Sequence, residues 1–175
     1  MIKLIDILEN KILVPRRSPE ERSKNYLIAT QKKIQQYIKD GSKGDLDLDN
    51  TPIASLPQGL TVGGSLDLSY TKITSLPQDL KVRGTLDLRD TPITSLPQGL
   101  TVGDYLDLDN TLITSLPQGL TVGGSLYLNN TKITSLPQGL KVGEGLYLIN
   151  TLFSKKYTEK QIRQMVPGVK GEIYI

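Results

Sequence analysis

The chain contains no cysteine and no histidine among its 175 residues. It can therefore form neither a disulfide framework nor a Cys/His zinc site, and it has no thiol nucleophile and no imidazole for a Ser-His-Asp triad. Its glycines recur at fixed spacing and do not precede the Lys and Ser/Thr of a phosphate-binding loop. We accordingly expect a protein that is not an enzyme and that uses no cofactor and no metal.

Aromatic residues and long apolar runs are also scarce. Trp is absent, Phe occurs once, and Tyr supplies eight of the nine aromatic residues, which leaves little bulky filler for a compact core. No apolar run approaches the roughly 18 residues of a membrane span. Charges at Lys3, Asp6 and Glu9 prevent an apolar signal core at the start. These absences predict a soluble, cytoplasmic protein that does not contact a membrane.

The most prominent feature that the chain does have is a repeat of 20 residues. Residues 46–65 read LDLDNTPIASLPQGLTVGGS, and Leu occupies the first and third positions of every unit. The units begin at Leu46, Leu66, Leu86, Leu106, Leu126 and Leu146. A unit this short cannot bury its own apolar side, but stacked units cover one another. The L-x-L alternation predicts one strand per unit, and hence an α/β-type repeat solenoid with a parallel β-sheet of about six coils.

Other constant positions of the unit have local structural explanations. The residues predicted to point inward in the first unit are Leu46, Leu48, Ile53, Leu56, Leu60 and Val62. Gly59 is expected at positive φ, and so is Asp79 at the same position of the second unit. The sixth position is Thr in every unit, and we expect its hydroxyl to satisfy backbone groups of neighbouring coils.

Both ends of the repeat are predicted to be caps, giving one domain with three parts: residues 1–45, 46–151 and 152–175. The first part is expected to be helical, with a short helix over residues 2–8 and a longer one from an N-cap at Ser18 to about Lys39. Leu27, Ile34 and Ile38 share a stripe of that helix, flanked by Tyr37, and should close the first coil. The last part should hold a short helix ending near Met165 and a final strand over residues 172–175.

The pattern L-x-L-x-x-T-x-I followed by S-L-P resembles the short, 20-residue bacterial type of leucine-rich repeat. The resemblance covers about 105 residues, with Thr where that family has Asn, and with Gly63 and its equivalents where it has Leu. Val62 and its equivalents are expected to fill that space. The resemblance implies a leucine-rich-repeat-like solenoid from a bacterium or bacteriophage, of the kind found in secreted effectors that act on a host protein. Its location would then be the cytoplasm of the bacterium or of the host cell.

The positions that vary between units carry the functional information. Residues 1–44 hold ten Lys and Arg against five Asp and Glu, residues 45–151 hold six against eleven, and residues 152–175 hold five against two. The outward strand positions of the acidic middle form three columns, acidic at one end and rich in tyrosine at the other. The predicted partner-binding residues in these columns are Asp45, Asp47, Asp49, Asp67, Asp87, Arg89, Tyr105, Asp107, Asp109, Tyr127 and Tyr147.

These columns predict a protein-interaction module whose partner has a basic surface. Four other interpretations remain open. The basic caps could bind nucleic acid, the N-terminal one through Arg16, Arg17, Arg22, Lys24, Lys32 and Lys33. The row of Asp side chains could instead imitate nucleic-acid phosphates and so inhibit a host defence protein, or it could bind divalent cations between adjacent carboxylates. Finally, the row could be solvated filler that was copied when the units duplicated. The sequence does not determine the oligomeric state.

Overall fold

A computed structural model describes residues 18–175; residues 1–17, which include the predicted helix over residues 2–8, lie outside the described part. Helix α1 (Pro19–Lys39) comes first, and α2 (Glu159–Met165) lies near the end. Twelve strands of two residues each, separated by turns and extended segments, follow in the described chain. They are β1 (Leu46–Asp47), β2 (Thr61–Val62), β3 (Leu66–Asp67), β4 (Lys81–Val82), β5 (Leu86–Asp87), β6 (Thr101–Val102), β7 (Leu106–Asp107), β8 (Thr121–Val122), β9 (Leu126–Tyr127), β10 (Lys141–Val142), β11 (Leu146–Tyr147) and β12 (Ile173–Tyr174).

The strands build a parallel β-solenoid of about five turns, with repeats 20 residues apart, and this confirms the predicted repeat solenoid with its caps. Sheet A contains seven strands in the order β1-β3-β5-β7-β9-β11-β12, and sheet B contains five in the order β2-β4-β6-β8-β10. Each of the first five units therefore forms two strands, where the sequence predicted one. The second strand arises because Val62 and its equivalents point inward and pair in register from coil to coil.

The pairing of sheet A extends beyond the two residues of each strand. The amide of Leu86 donates to the carbonyl of Tyr105 (2.8 Å), that of Leu88 to Asp107 (2.9 Å), and that of Asp90 to Asp109 (3.0 Å). All three bonds recur in each of the first five units and the first two recur in the sixth, so most units contribute about five paired residues. The outward side chains of one unit consequently stand in line with those of the next.

The core is a stack of identical aliphatic layers. Every residue predicted to point inward is buried, and the two Leu side chains that begin each of the six units are at most 2% exposed. Side chains from one coil cover those of the next, so the solenoid interior needs no aromatic filler. Phe153 is the only aromatic side chain in the buried core of residues 18–175, and it occupies the position that Ile holds in the other units.

The turn after each L-x-L segment requires the left-handed backbone region. The residue at the fifth position of each unit has φ between 50° and 59°. These residues are Asn50, Tyr70, Asp90, Asn110, Asn130 and Asn150. Asn and Asp tolerate this region better than other non-glycine residues, which explains five of the six.

Two predictions about the turns need correction. Gly59 has positive φ (73°) as expected, but neither Asp79 nor Gly139 at the same position adopts it; the turn there does not require the left-handed region, so a side chain is accepted. Each Thr hydroxyl bonds within its own coil, and not to a neighbouring one: Thr111 Oγ1 donates to the Leu108 carbonyl at 2.7 Å. The chain reverses directly after the strand, and this brings the carbonyl three residues back within reach.

The caps close both ends of the solenoid. Helix α1 begins with the predicted N-cap Ser18, whose hydroxyl accepts the Glu21 amide in a capping box. Thr30 and Ile34 are buried and Tyr37 packs against the core, whereas Ile38, predicted to join them, is 44% exposed because it lies at the edge of the contact. At the other end β12 extends sheet A, and Val169 pairs with Val142 to extend sheet B.

Candidate functional site

The register of sheet A places the predicted site residues on one surface. Asp47 pairs with Asp67, Asp67 with Asp87, and Asp107 with Tyr127, so the second residue of each strand forms a continuous central column. The residues two before and two after it form flanking columns. We call this surface the acid–tyrosine face. It comprises the eleven predicted residues together with the others in the same columns: Ser65, Ser69, Thr85, Ser125, Asn129, Gly145, Ile149, Glu172 and Tyr174.

Each aspartate of the central column also has a structural role. Its carboxylate accepts the backbone N–H two residues later, at the point where the strand ends: Asp47 from Asp49 (3.1 Å) and Asp107 from Asp109 (2.9 Å). Asp67 and Asp87 make the same bond. Local bonds of this kind are typical of Asp and Asn at turns. The repeated Asp is therefore partly explained by the fold, without a partner.

A different arrangement replaces this bond where the central column changes to tyrosine. Tyrosine offers no carboxylate, and the amide two residues later is satisfied from the preceding coil. The amide of Asn129 donates to Asp109 Oδ1 (2.7 Å), and that of Ile149 donates to Asn129 Oδ1 (2.8 Å). Where tyrosine replaces aspartate in the central column, Asp109 and Asn129 of the following column therefore supply the missing hydrogen-bond acceptors.

The carboxylates in the middle of the column are unusually desolvated. Burial raises the pKa of Asp107 from 3.8 to about 6, against the lowering effect of the Asp109 amide. Burial likewise raises the pKa of Asp87, whose carboxylate forms an ion pair with Arg89 at 3.0 Å. Like charges on adjacent strands repel, and the neighbouring carboxylates add to both shifts.

The N-terminal edge of the face is held by backbone contacts and by the cap. The Asp49 amide bond lowers the pKa of Asp47, and the hydrogen bond between the two side chains raises that of Asp49. Asp45 Oδ1 accepts the Ser65 amide at 2.7 Å. Lys33 of α1 donates through Nζ to the Asp47 carbonyl. This end is thus covered by a cation from the cap.

The tyrosine end is a stacked array of rings. The Tyr127 and Tyr147 ring centroids are 4.5 Å apart with planes 13° apart, and those of Tyr147 and Tyr174 are 4.4 Å and 9° apart. Tyr105 contacts Tyr127 edge-on, at 6.3 Å and 82°. Its ring lies over Gly124, where a Cβ would come within 2.6 Å of it. The rings therefore form one connected aromatic surface on the sheet.

Two exposed tyrosines were not predicted as site residues from the sequence. Tyr174 lies after the last repeat, and only its pairing with Tyr147 through β12 shows that it continues the column. Tyr70 occupies the left-handed turn position, at φ 57°, and is 57% exposed. A bulky residue there is strained and marks a candidate functional position. The available signal was that Tyr70 replaces the Asn or Asp of every other unit.

We expect neutralising Asp107 to stabilise the fold. The pKa of Asp107 is raised on folding, so the folded state binds more protons between the ordinary pKa of 3.8 and about 6, and the stability falls as the pH rises through that range. Asn keeps an acceptor for the Asp109 amide but carries no charge. Asp107→Asn should therefore gain about 1 kcal/mol at pH 7 and lose this part of the pH dependence, as measured by urea denaturation across the pH range.

Asp40→Asn is the matched control, because Asp40 is exposed in the turn after α1 and its bond from Gln36 survives the change. Its stability curve should run parallel to that of the parent protein. If the stability curve of Asp107→Asn also ran parallel to that of the parent, the claim that folding desolvates the Asp107 carboxylate would be contradicted.

Two searches of residues 18–175 found nothing. Among residues 18–175, no three Asp or Glu side chains come together in a group suited to a metal ion. Neither helix of the same part is long and apolar enough to cross a membrane.

No protein-family model matches the chain, and a search of the curated proteins finds no match. The resemblance to leucine-rich repeats therefore stays a prediction, and any functional argument has to come from the sequence and structure of the chain itself.

Proposed function

We propose that the protein is a non-catalytic interaction module whose acid–tyrosine face binds a basic segment of a protein partner. Its assignment to bacterial or phage effectors is part of the same proposal and rests on the repeat pattern alone. The observation that carries the proposal is the junction, on one face of sheet A, between a row of carboxylates and a partly exposed array of tyrosines.

Charge complementarity supports a basic partner. The three columns hold eight carboxylates and one cation, Arg89, which is ion-paired with Asp87. The carboxylates belong to Asp45, Asp47, Asp49, Asp67, Asp87, Asp107, Asp109 and Glu172. Adjacent strands lie about 4.8 Å apart, so this charge is concentrated. A partner with Lys or Arg would relieve the repulsion on binding and would be attracted from a distance.

The tyrosines supply the apolar part of the contact. Tyr105 is 38% exposed and Tyr174 is 42% exposed, so both offer ring surface to a partner. Tyrosine is enriched among the residues that dominate binding energy, and its ring face attracts Arg and Lys side chains. A basic segment lying across the strands would therefore contact carboxylates at one end and aromatic faces at the other.

Two of the alternatives are less well supported. A phosphate mimic would need a continuous row of carboxylates that point freely outward, yet the central aspartates accept the amides at the ends of their own strands and the column continues as tyrosine after Asp107. Binding of nucleic acid by the N-terminal segment depends in part on Arg16 and Arg17, which lie outside the described residues. In α1, Lys33 is already engaged by the carbonyl of Asp47.

The proposal is tested by titrating a labelled Arg/Lys-rich peptide and following its fluorescence anisotropy. Asp67, Asp87 and Asp107 are changed together to Asn, which retains an acceptor for each strand-end amide. We expect affinity to fall at least about tenfold, because three charges are lost from the contact. Tyr70→Asn, which restores the residue type of the other units at the left-handed turn, should leave the protein at least as stable as the parent.

The control is Glu20→Gln, Asp40→Asn and Asp79→Gly, which changes the net charge equally but lies outside the acid–tyrosine face. Its affinity should match that of the parent. Equal losses in both triple variants would mean that only net charge matters, and undiminished binding by the face variant would refute the proposal.

A further inference from the structure

Sheet B presents a second outward surface, with the opposite charge. Its two outward columns flank the buried valines, and the caps extend both: Gly63 donates to the Ser42 carbonyl (3.0 Å) and Lys170 to that of Val142 (3.0 Å). Lys43 and Lys170 thereby join the column that contains Gly63 and Arg83. We call these two columns the basic columns; they contain Gly41, Thr61, Lys81, Thr101, Thr121, Lys141 and Gly168 in one, and Lys43, Gly63, Arg83, Gly103, Gly123, Gly143 and Lys170 in the other.

The basic columns hold five cations and no carboxylate. All five side chains are exposed: Lys43, Lys81, Arg83, Lys141 and Lys170. The nearest acidic residues lie outside the columns. Asp79 borders one groove, and Asp104 and Glu144 lie at the corner towards sheet A, where they accept hydrogen bonds from Thr85 and Ser125. Net charge on this surface is therefore positive, although the repeat region as a whole is acidic.

Two adjoining grooves lie between these cations. The first, of about 560 Å³, is lined by Lys43, Gly63 and Arg83 together with the turn that follows α1. Lys43 and Arg83 are two coils apart, about 10 Å at the usual strand spacing, and Gly63 between them has no side chain. The second groove, of about 520 Å³, adds Lys81 and Thr101 and shares Arg83 and Thr61 with the first. Together they form a shallow channel across the strands with cations along it.

We propose that the basic columns bind the phosphate backbone of a duplex nucleic acid without reading its sequence. The columns carry no aromatic side chain and so offer no platform for the base stacking by which proteins usually hold single strands. Lys, Arg and Thr are instead typical phosphate contacts. Seven coil positions span about 29 Å, which matches about eight base pairs at 3.4 Å each. Glycines that lie flush with the sheet let a phosphate backbone approach closely.

This inference is independent of the acid–tyrosine face, because the two surfaces share no residue. It also differs from binding by the N-terminal segment, since its cations lie on sheet B and in the turns at its ends.

The test measures binding of a labelled DNA duplex, about 12 base pairs long, by fluorescence anisotropy between about 50 and 200 mM salt. The variant carries Lys81→Thr, Arg83→Gly and Lys141→Thr, so each cation is replaced by the residue that other coils have at that position and the fold is preserved. We expect the Kd to rise at least about tenfold. The slope of log affinity against log salt should fall by about 2.7, because three phosphate contacts are lost. Scrambling the duplex sequence should change nothing.

Two variants with the same loss of charge complete the experiment. One variant replaces three exposed lysines outside both sheets with Gln: Lys72, Lys132 and Lys160. The other replaces three cations of α1 with Gln: Arg22, Lys24 and Lys32. Each variant should keep an affinity for the duplex within about twofold of that of the parent. The inference is overturned if the parent does not bind the duplex at low salt, or if either variant loses as much affinity as the sheet B variant.

Discussion

Replacing Leu106 with Ala should lower the free energy of unfolding by about 3 kcal/mol. Leu106 is fully buried at the centre of the stack, in register with Leu86 on one side and Leu126 on the other. Shortening it leaves a cavity between two coils, and a linear array cannot close that cavity from elsewhere because each coil contacts only its neighbours. Urea denaturation followed by circular dichroism measures the change.

Leu112→Ala is the matched control from the same unit. Leu112 is 44% exposed, and its truncation should change the stability by less than about 0.5 kcal/mol. Similar losses in the two variants would contradict the assignment of inward and outward positions on which the fold description depends.

Replacing Gly123 with Ala should lower the free energy of unfolding by about 2 kcal/mol. A Cβ built on Gly123 would lie 2.0 Å from the backbone carbonyl oxygen of Gly103, and the same clash recurs at Gly143. The obstruction is backbone, so the coils themselves would have to separate. Arg83 in the same column shows that a coil can be built around a side chain there, which is why we expect destabilisation and not complete unfolding.

Gly139→Ala provides the comparison. Its Cβ would meet nothing closer than 3.9 Å, and its backbone lies outside the positive-φ range, so this variant should be as stable as the parent or slightly more stable. Thermal unfolding of the two variants side by side gives the answer. A Gly123→Ala protein that melts with the parent would show that the coils stack less tightly than described.

Periodicity was sufficient to predict the solenoid. Leu at the first and third positions of every unit has one physical solution, in which both side chains enter the core and the middle residue faces out. The second strand was missed because its signal is short: a single inward Val62 between Thr61 and Gly63 lacks the alternation that marks a strand. The pairing of two-residue strands is visible only once the coils are stacked.

The same limit applies to the functional face. The central column could be predicted from the repeat as far as Tyr147, because the spacing is constant. Tyr174 could not, since it follows a break in the repeat and a helix, and joins the column only through tertiary pairing. The hydrogen bonds that Asp109 and Asn129 accept from the next coil join residues 20 positions apart, so no local sequence pattern predicts them.

The net charge of +3 therefore describes neither surface. Sheet A carries a concentration of carboxylates that ends in stacked tyrosines, and sheet B carries cations alone in its outward columns. Because three residues separate the end of β2 from the start of β3, the two sheets occupy neighbouring sides of the coil. Each proposal accordingly assigns a different ligand to its own side.

The most direct test of the central claim is a two-dimensional NMR titration of the ¹⁵N-labelled protein with the Arg/Lys-rich peptide. We expect the chemical-shift changes to concentrate on backbone amides of the acid–tyrosine face, among them Tyr105, Asp107 and Tyr127. The amides of sheet B should stay unmoved. Shifts confined to sheet B or to α1, or an unchanged spectrum at saturating peptide, would contradict the claim that this face is the binding surface.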